Sequence, residues 1–528
     1  MAFLIPILIA CALRFPDLAQ RPMHCDEAVH ADKFGILLEQ GRYEYSTVDY
    51  HGPTLYYLTL VPAWIQRAAR YIDISEITLR SVPATLGVVL VALHFLLVRH
   101  FGCPVSIGAA MLAAISPAMV YYSRYYIHEI LFVCITFAAL LSALSYWNSR
   151  RSAWAAATGI CAGLMCATKE TAIIVFACAL MALGLARALA RLHGEHPAPM
   201  RIARPHLALA GISAAVTSML LFSSLLSHPR GILDAVAAYG TYFERGSGYG
   251  TLHVHPWHYY LNLLVFFHTR GGPYWTEGLI AGLALIGLLA AVLRKGSEQS
   301  VLRFLACYTL CMGIVYSVIP YKAPWNVLGA LHGLILLAGV GMGWLCEMSR
   351  GVRARAVTVV VLAAAGIHLG WQAWAGSFRY AADPGNPWVY AHTGNDVLAI
   401  IRQLDSLARA YPDGPAMPIQ IISRENLWPL PWYLRRYSGA RWWNGVSDSA
   451  PSAPVIIISP DMEPALVRKL YELPPPGQKQ MYVNIFDRYV ELRPQVELRA
   501  YAAKSLWDEC QRLEPDANPK REPGADRR

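Results

Sequence analysis

Charged residues are scarce in this sequence. Only 15% of its 528 residues are Asp, Glu, Lys or Arg, whereas 55% are hydrophobic. A soluble globular protein carries about 25% charged residues, so this composition excludes an ordinary soluble enzyme of the same length. The long apolar runs instead predict a polytopic membrane protein that is mainly α-helical.

Diagnostic metal and disulfide motifs are also missing. The eleven cysteines form no C-x-x-C pair, and the chain has no His-Glu-x-x-His helix motif and no internal repeat. Nine cysteines fall in or beside apolar runs, where they behave as small hydrophobic residues. Only Cys25 and Cys510 lie outside, and they would pair only if the fold brings them together. A zinc ribbon is therefore disfavoured and no cofactor is required, although a divalent cation stays an open alternative.

The apolar windows predict about eleven transmembrane helices. They cover residues 2–18, 78–98, 105–122, 129–147, 153–168, 170–189, 206–226, 276–293, 302–319, 326–346 and 356–375. The first window has no basic n-region and no small-residue cleavage site, so an uncleaved helix is favoured over a signal peptide.

Basic residues in the connecting loops predict the orientation. If the N-terminus is cytoplasmic, every inner loop carries Lys or Arg, as the positive-inside rule requires. These residues are Arg99, Arg150, Arg151, Arg191, Arg201, Arg204, Arg294, Lys295, Arg303, Arg350, Arg353 and Arg355. We therefore expect a multi-pass protein of the inner (cytoplasmic) membrane, and the net charge of +10 reflects topology rather than nucleic-acid binding.

The composition changes after the last apolar window and predicts three segments. Residues 1–375 are expected to form a transmembrane domain with outer loops at about 19–77 and 227–275. Residues 376–513 contain the strand-like runs 417–422 and 454–459, which predict a soluble extracytoplasmic α/β domain. Residues 514–528 are polar and Pro-rich and are expected to be disordered.

The first outer loop contains the densest group of ionisable residues. Asp26 and Glu27 directly follow the first span and precede a short helix that is predicted at 35–41. Both acids could simply be solvated or cap that helix. However, His24, His30, Asp49 and His51 stand nearby, and acids beside a bilayer are costly. The loop is therefore the candidate catalytic segment.

Single cations and acids occupy the other predicted outer turns. Arg124 and Glu129 are five residues apart, so on a helix they face different directions and need separate partners. Lys169 and Glu170 fill a tight turn that they could merely cap, and Lys322 lies between two prolines. Such cations can hold a lipid phosphate while a carboxylate acts as base. Snorkelling is the alternative for Arg124 and Lys322, of which Lys322 is the strongest candidate for an anion contact.

Several of these motifs resemble the GT-C superfamily of membrane glycosyltransferases. The matching residues are Asp26-Glu27, Val29-His30, Gly41-Arg42-Tyr43, His51-Gly52-Pro53 and Ser123-Arg124-Tyr125, with Glu129 in place of an aspartate. The resemblance is to protein O-mannosyltransferases, to lipid A aminoarabinose transferases, and to a prokaryotic family named only as flippase-activity-associated. It covers roughly residues 1–375 and implies a GT-C-like bundle, to which the composition adds the C-terminal extracytoplasmic α/β domain.

The resemblance also implies an activity and a set of roles. It implies inverting transfer of one sugar from a polyprenyl-phosphate donor to an extracytoplasmic glycan, lipid or protein, with membrane lipids as the other partners. Asp26 would be the base, oriented by Glu27 or His30, and Glu129 would support the acceptor or a cation. Arg124, Lys169 and Lys322 would bind the donor phosphate. The expected substrate contacts are His30, Tyr50, His51, His128, His255, Tyr321 and Trp325.

The main alternative is a flippase, or an accessory to one, for lipid-linked sugars. Transporters usually have paired repeats and broken helices near the middle of the bilayer, whereas the charged residues here lie at one predicted face. A protein acceptor is disfavoured because Tyr56 stands where O-mannosyltransferases have lysine, and because the C-terminal segment has no β-trefoil-like repeat. A purely structural role leaves the clustered acids unexplained.

Overall fold

The chain forms two compact units. The computed structural model describes residues 3–47, 51–196, 202–247, 253–269, 272–296 and 299–513. Unit 1 consists of the described residues of Met1–Ala19, Lys33–Arg70 and Ile74–Tyr390. Unit 2 consists of those of Gln20–Asp32, Tyr71–Asp73 and Ala391–Arg528. Part of the first predicted outer loop therefore belongs to the same unit as the C-terminal segment, and the predicted boundary between 375 and 376 stays a prediction.

Sixteen α-helices precede the C-terminal segment in the described residues. They are α1 Leu4–Arg14, α2 Cys25–Gln40, α3 Thr54–Ile65, α4 Glu76–Leu93, α5 Val98–Ile115, α6 Pro117–Tyr122, α7 Glu129–Ser149, α8 Ser152–Cys166, α9 Ala172–Leu192, α10 Arg204–Phe222, α11 Gly231–Gly246, α12 Tyr259–Val265, α13 Gly278–Leu293, α14 Ser300–Val318, α15 Leu328–Met348 and α16 Val352–Trp374. Ser75 and Thr78 form a capping box that starts α4. The mainly helical architecture that the composition predicts is confirmed.

Seven helical segments of the described chain are long and apolar enough to cross a membrane. They are Glu76–Ile115, Glu129–Ser149, Ala172–Leu192, Arg204–Phe222, Ser300–Val318, Pro324–Met348 and Val352–Arg379. The 40-residue segment Glu76–Ile115 contains a 3₁₀ turn at His94–Leu97 and a kink at Gly102. Shorter apolar helices occur at the predicted windows near residues 2–18, 153–168 and 276–293. Every predicted span thus contains a helix, but the count of eleven is not confirmed.

Small residues let the helices of unit 1 approach closely. A Cβ added to Gly287 of α13 would lie 2.0 Å from the Leu337 carbonyl oxygen of α15, and one added to Gly341 would lie 2.0 Å from that of Leu283. Gly159 and Gly163 of α8 contact α10 in the same way. Such backbone contacts are typical of helix packing in a bilayer, where dispersion replaces the hydrophobic effect.

The second helix is longer than the sequence predicts. A short helix is predicted at residues 35–41, whereas α2 begins at Cys25 and ends at Gln40. Its end is confirmed by Gly41, which has φ +67° and so stops the helix. Its earlier start depends on caps from His24 and Glu27 that local propensity does not reveal.

Unit 2 is built on a small mixed sheet. Its strands are β1 Ile419–Ile422, β2 Ala440–Trp443, β3 Val455–Ile458, β4 Tyr482–Asn484, β5 Glu491–Arg493, β6 Val496–Glu497 and β7 Arg499–Ala503. The five-stranded sheet has the order β2-β1-β3-β7-β4, in which β1 is parallel to β2 and β3, and β7 is antiparallel to β3. Helices α17 Asp396–Ala410, α18 Leu430–Leu434, α19 Glu463–Val467 and α20 Lys504–Leu513 accompany it. Strands β1 and β3 confirm the two predicted strand-like runs.

Candidate functional site

The acidic pair lies in the first turn of α2, within unit 2. The Glu27 carboxylate accepts a hydrogen bond from the His24 backbone N–H (2.9 Å), and His24 Nδ1 accepts one from the Asp26 N–H (3.1 Å). This arrangement resembles a capping box, but histidine takes the place of serine or threonine, and its ring accepts from the second helical residue rather than from the third. Negative side chains in a first turn are also favoured by the helix dipole.

Asp26 and Glu27 are in different environments although they are neighbours. Glu27 is fully buried, and its two carboxylate oxygens each lie 3.0 Å from an Arg21 guanidinium nitrogen. The Asp26 side chain is 47% exposed, and its carboxylate lies 3.9 Å from His24 Nδ1. Glu27 is therefore held by a bidentate ion pair, whereas Asp26 presents its carboxylate to solvent. His30, one turn further on, is buried.

A buried ion pair joins two of the predicted site residues in unit 1. Lys169 Nζ lies 2.5 Å from Glu129 Oε1 and 3.4 Å from Asn326 Oδ1. Both charged side chains are about nine-tenths buried or more. Burial alone would lower the pKa of Lys169, but the adjacent Glu129 carboxylate outweighs it, so the pKa is raised and the lysine stays charged. Trp325 and Asn326 line a small cavity beside this pair.

A second buried cluster surrounds Glu170. Its carboxylate accepts from the Tyr45 hydroxyl (2.8 Å) and lies 3.1 Å from His51 Nδ1. The Tyr242 hydroxyl of α11 lies 3.1 Å from the same His51 nitrogen. Burial by itself would raise the pKa of Glu170, but hydrogen bonding and charge from His51, together with backbone and Tyr45 hydrogen bonds, lower the pKa to about 2.

His51 is placed there by a close contact between two turns. The Gly52 N–H donates to the Thr168 carbonyl (3.1 Å), and the Thr54 N–H donates to the Ala167 carbonyl (3.2 Å). A Cβ at Gly52 would lie only 1.9 Å from the Ala167 oxygen, so glycine is required by this approach. His128 Nε2 lies 3.0 Å from the Gly52 oxygen, and its ring contacts that of His51 at 5.0 Å.

Arg124 and Lys322 bind backbone carbonyls of unit 1. The Arg124 guanidinium donates to the carbonyls of Arg14, Pro16 and Asp17 and covers the Phe378 ring. Lys322 Nζ donates to the Ile319 and His255 carbonyls at 2.5 and 3.0 Å. Arg124 and Glu129 thus have separate partners, as their spacing predicts.

The remaining predicted substrate contacts are connected through Tyr390. Its hydroxyl lies 2.7 Å from His253 Nδ1 and 3.0 Å from His255 Nε2. Tyr321 pairs with Val254 in an isolated antiparallel bridge, and its ring contacts that of His253. Asp49 and Tyr50 lie outside the described residues.

Two buried residues that hold these groups in place are not among the site residues predicted from the sequence. Tyr45 completes the Glu170 cluster, and its only sequence signal is its place in a tyrosine-rich loop. Glu277 is almost fully buried and accepts from the Ser116 hydroxyl and the Ala118 N–H (2.8 Å), which holds the start of α6. A single acid at the edge of an apolar window was its only signal.

The candidate residues therefore form separate groups inside the two units. In unit 1 the structure brings together Glu129 with Lys169, and His51 with His128. In unit 2 it brings together Asp26, Glu27 and the buried His30 on one helical segment. Within the described ranges, no group of three or more His, Cys, Asp or Glu is arranged to hold a metal ion. Cys25 and Cys510 are both free thiols.

Comparison with known proteins relates these groups to a fold. Residues 5–222 match the family model described as dolichyl-phosphate-mannose-protein mannosyltransferase. No curated protein matches the sequence. The structure is similar to that of ArnT from Cupriavidus metallidurans bound to undecaprenyl phosphate, with a TM-score of 0.62 and 15% identity over 94% of this chain and 97% of that chain.

A second similar structure is the Archaeoglobus fulgidus oligosaccharyltransferase tethered to an acceptor peptide. The TM-score is 0.55 and the identity 15%, over 84% of this chain and 63% of that chain. At this identity the two likenesses establish the fold. The chain is thus a polytopic protein that shares the fold of these two structures, as the GT-C-like bundle predicted above requires, and its residues 5–222 match the mannosyltransferase family model.

Proposed function

We propose that this protein is an inverting glycosyltransferase that moves one sugar from a polyprenyl-phosphate donor to an extracytoplasmic acceptor. Three facts support the proposal. The chain has the GT-C fold, its first part matches a mannosyltransferase family, and ArnT with the same fold was solved with undecaprenyl phosphate bound. The orientation proposed from the basic loops puts the transfer on the outer side of the inner membrane.

The observation that carries the proposal is the contrast between Asp26 and Glu27. Asp26 is the accessible carboxylate of the pair, and its neighbour is fixed by Arg21 and by the helix cap. In the proposed reaction the Asp26 carboxylate takes the proton of the acceptor hydroxyl while that oxygen bonds to the anomeric carbon. The bond from this carbon to the phosphate oxygen breaks, and the phosphate departs with the electron pair. One carboxylate suffices because lipid phosphate is already a good leaving group.

The other roles are proposed residue by residue, each from contacts inside its own unit. Glu27 and His30 position Asp26. Glu129 supports the acceptor or a cation, and Lys169 contacts the donor phosphate. Lys169 is already neutralised by Glu129 at 2.5 Å, so phosphate binding requires these two side chains to separate or to share the ligand.

Arg124 and Lys322 are proposed as the further phosphate ligands, but their present hydrogen bonds limit how they can bind a phosphate. Both now donate to backbone carbonyls, so they reach a phosphate only with spare N–H groups or after rearrangement. Substrate contacts are proposed for His51, His128, His255, Tyr321 and Trp325, and also for Tyr50. Of these, Trp325 lines the cavity beside the Glu129–Lys169 pair.

The test compares wild type with Asp26→Asn in a transfer assay. Purified protein is incubated with radiolabelled polyprenyl-phosphate hexoses and membrane extract. Loss of a general base is expected to slow transfer by about 10²–10⁴-fold, because the acceptor hydroxyl must then lose its proton to water. Asp487→Asn is the matched control, since Asp487 is an exposed acid elsewhere in unit 2.

The outcomes separate the two candidate classes. Labelled product that persists unchanged in Asp26→Asn removes Asp26 as the base. If wild type binds the donor but consumes none of it, the flippase or flippase-accessory function replaces transfer as the better account.

A further inference from the structure

An open cavity in unit 1 adjoins the Glu170 cluster, because Tyr45 both lines the cavity and donates to Glu170. Its volume is about 360 Å³, within the range of about 300–1,000 Å³ that is typical of small-molecule sites. The second half of α2, the loop after it and the start of α11 form its walls. The lining residues are Lys33, Ile36, Tyr43, Glu44, Tyr45, Ser46, Thr47, Arg230 and Asp234. Most of them lie in the first predicted outer loop, but none is among the residues to which the sequence assigns a catalytic, phosphate-binding or substrate-binding role.

The chemistry of the lining excludes two of the ligands that this protein could meet. Among the described lining residues, Glu44 forms an ion pair with Arg42, and Asp234 lies 3.9 Å from Arg230. The described lining therefore offers no cluster of unpaired cations to a phosphate. Ile36 is the only aliphatic side chain among the described residues of the lining, so these residues offer a polyprenyl tail no continuous apolar wall.

A neutral polyhydroxylated ligand fits the same lining well. A sugar hydroxyl both donates and accepts, and it can therefore use carboxylates, cations and hydroxyls in one cavity. Tyrosines add rigid amphipathic faces that pack against a ring while their hydroxyls stay hydrogen-bonded. Tyr43 and Tyr45 are both buried, so their positions are set by the fold rather than by a ligand.

The two tyrosines connect the cavity to the Glu170 cluster. The Tyr43 hydroxyl donates to the His51 carbonyl (3.2 Å), and the Tyr45 hydroxyl donates to Glu170 Oε1 (2.8 Å). On the opposite wall, α11 supplies Asp234 to the cavity and Tyr242 to His51. A ligand in the cavity would thus contact Tyr43, which binds the His51 carbonyl, and Asp234, whose helix also carries Tyr242.

We propose that this cavity is a saccharide subsite that binds the acceptor as a neutral sugar ring. The inference rests on the proposed function, because it names the acceptor class of that reaction as a glycan or glycolipid hydroxyl. Asp234 and Lys33 hydrogen-bond to the ring hydroxyls, and Tyr43 and Tyr45 relay the position of the ring to His51 and Glu170.

The test measures binding separately from turnover. Full-length protein in nanodiscs is exposed to the methyl glycosides of mannose, glucose and galactose, and saturation-transfer difference NMR reports which protons touch the protein. Nanodiscs are used because a maltoside detergent would compete. Asp234→Asn is compared with Glu244→Gln, which removes the same charge from an exposed position on the same helix.

We expect wild type and Glu244→Gln to give equal saturation transfer to at least one glycoside, and Asp234→Asn to reduce it several-fold. Equal signals in Asp234→Asn and wild type, or none with any glycoside in folded wild type, overturn the proposal. Displacement of the glycoside by inorganic phosphate also overturns it, in favour of an anion site.

Failure of this inference and failure of the proposed function give different results. If donor is consumed while no glycoside binds at the cavity, the transferase stands and the saccharide subsite falls. If glycosides bind through Asp234 but no donor is ever consumed, the cavity is a saccharide site without an acceptor role, and the transferase falls.

Discussion

Glu170 is a buried carboxylate whose neighbours are hydrogen-bond donors rather than a lysine or arginine. His51 Nδ1 and the Tyr45 hydroxyl both approach it, and it is about 5% exposed. The sequence places Lys169 beside it, but the lysine turns to Glu129 instead. Because adjacent residues of a turn point in different directions, the Lys169-Glu170 pair supplies two separate clusters.

The Glu170 cluster predicts a pH dependence of stability. Its pKa is lowered from 4.5 to about 2, so the ionised carboxylate stabilises the folded state above about pH 4.5, and this stabilisation is lost as the pH falls towards about 2. In Glu170→Gln we expect a lower melting temperature at neutral pH and a gap to wild type that narrows below pH 4.5. Thermal unfolding of the purified protein across this range measures it.

The exposed variant Glu244→Gln is the control and should follow wild type throughout. A gap between Glu170→Gln and wild type that stays constant from neutral pH down to pH 2 would contradict the role given to the carboxylate charge.

The difference between Asp26 and Glu27 could not be predicted from their neighbours in sequence. Both acids follow the same apolar run, and both are compatible with a first helical turn. The distinction depends on Arg21, which binds Glu27 with two nitrogens, and on the His24 cap. The clustering of candidate residues in the first loop was readable from sequence, whereas the assignment of a role to each acid needs the three-dimensional contacts.

At the scale of elements, the contact between turn 51–54 and turn 167–168 positions the Glu170 cluster. Gly52→Ala places a methyl group 1.9 Å from the Ala167 oxygen, so the two turns must separate. We expect a loss of stability of about 1–3 kcal/mol, as in overpacked cores, and a reduced rate of sugar transfer. Chemical or thermal unfolding, together with the transfer assay, checks both effects.

Gly282→Ala is the matched control for this substitution. No heavy atom lies within 4 Å of the added Cβ, and alanine is the better helix former within α13. If Gly52→Ala is as stable and active as Gly282→Ala, the two turns do not depend on their close contact.

Some elements are predictable because the signal is local. The run Val455–Ile458 consists of β-branched residues and forms β3, which is wholly buried. The start of α2 was missed because histidine is not among the usual N-cap residues and because its partner Glu27 also needs Arg21. Apolar windows in the sequence predict where helices lie. They do not predict which of these helices are long enough to cross a membrane.

At the scale of the whole molecule, the basic loops predict the orientation. All eleven cysteines lie in the described residues, and Cys103 is the one that is exposed. It lies in the predicted inner loop that follows the span 78–98 and contains Arg99, so a membrane-impermeant maleimide should label Cys103 in permeabilised cells and not in intact cells. Ser449→Cys in unit 2 should be labelled in intact cells, because this unit is proposed to be extracytoplasmic.

Cys103→Ser identifies the signal of the native thiol in this experiment. Labelling of Cys103 in intact cells would reverse the proposed orientation, and with it the proposed side of the transfer reaction.

Unit 2 combines segments that are far apart in the sequence, and this has a consequence for the newly made chain. The Met23 N–H donates to the Tyr433 hydroxyl across 410 residues of sequence, within a unit that residues 20–32 share with the C-terminal segment. At a synthesis rate of about 5–20 residues per second, the ribosome needs roughly 20–80 s to add the second partner. The segment that carries Asp26 therefore lacks its C-terminal partners until Tyr433 has been added, so we expect a chain truncated before that residue to leave the proposed base without this support even when the helices of unit 1 have been inserted.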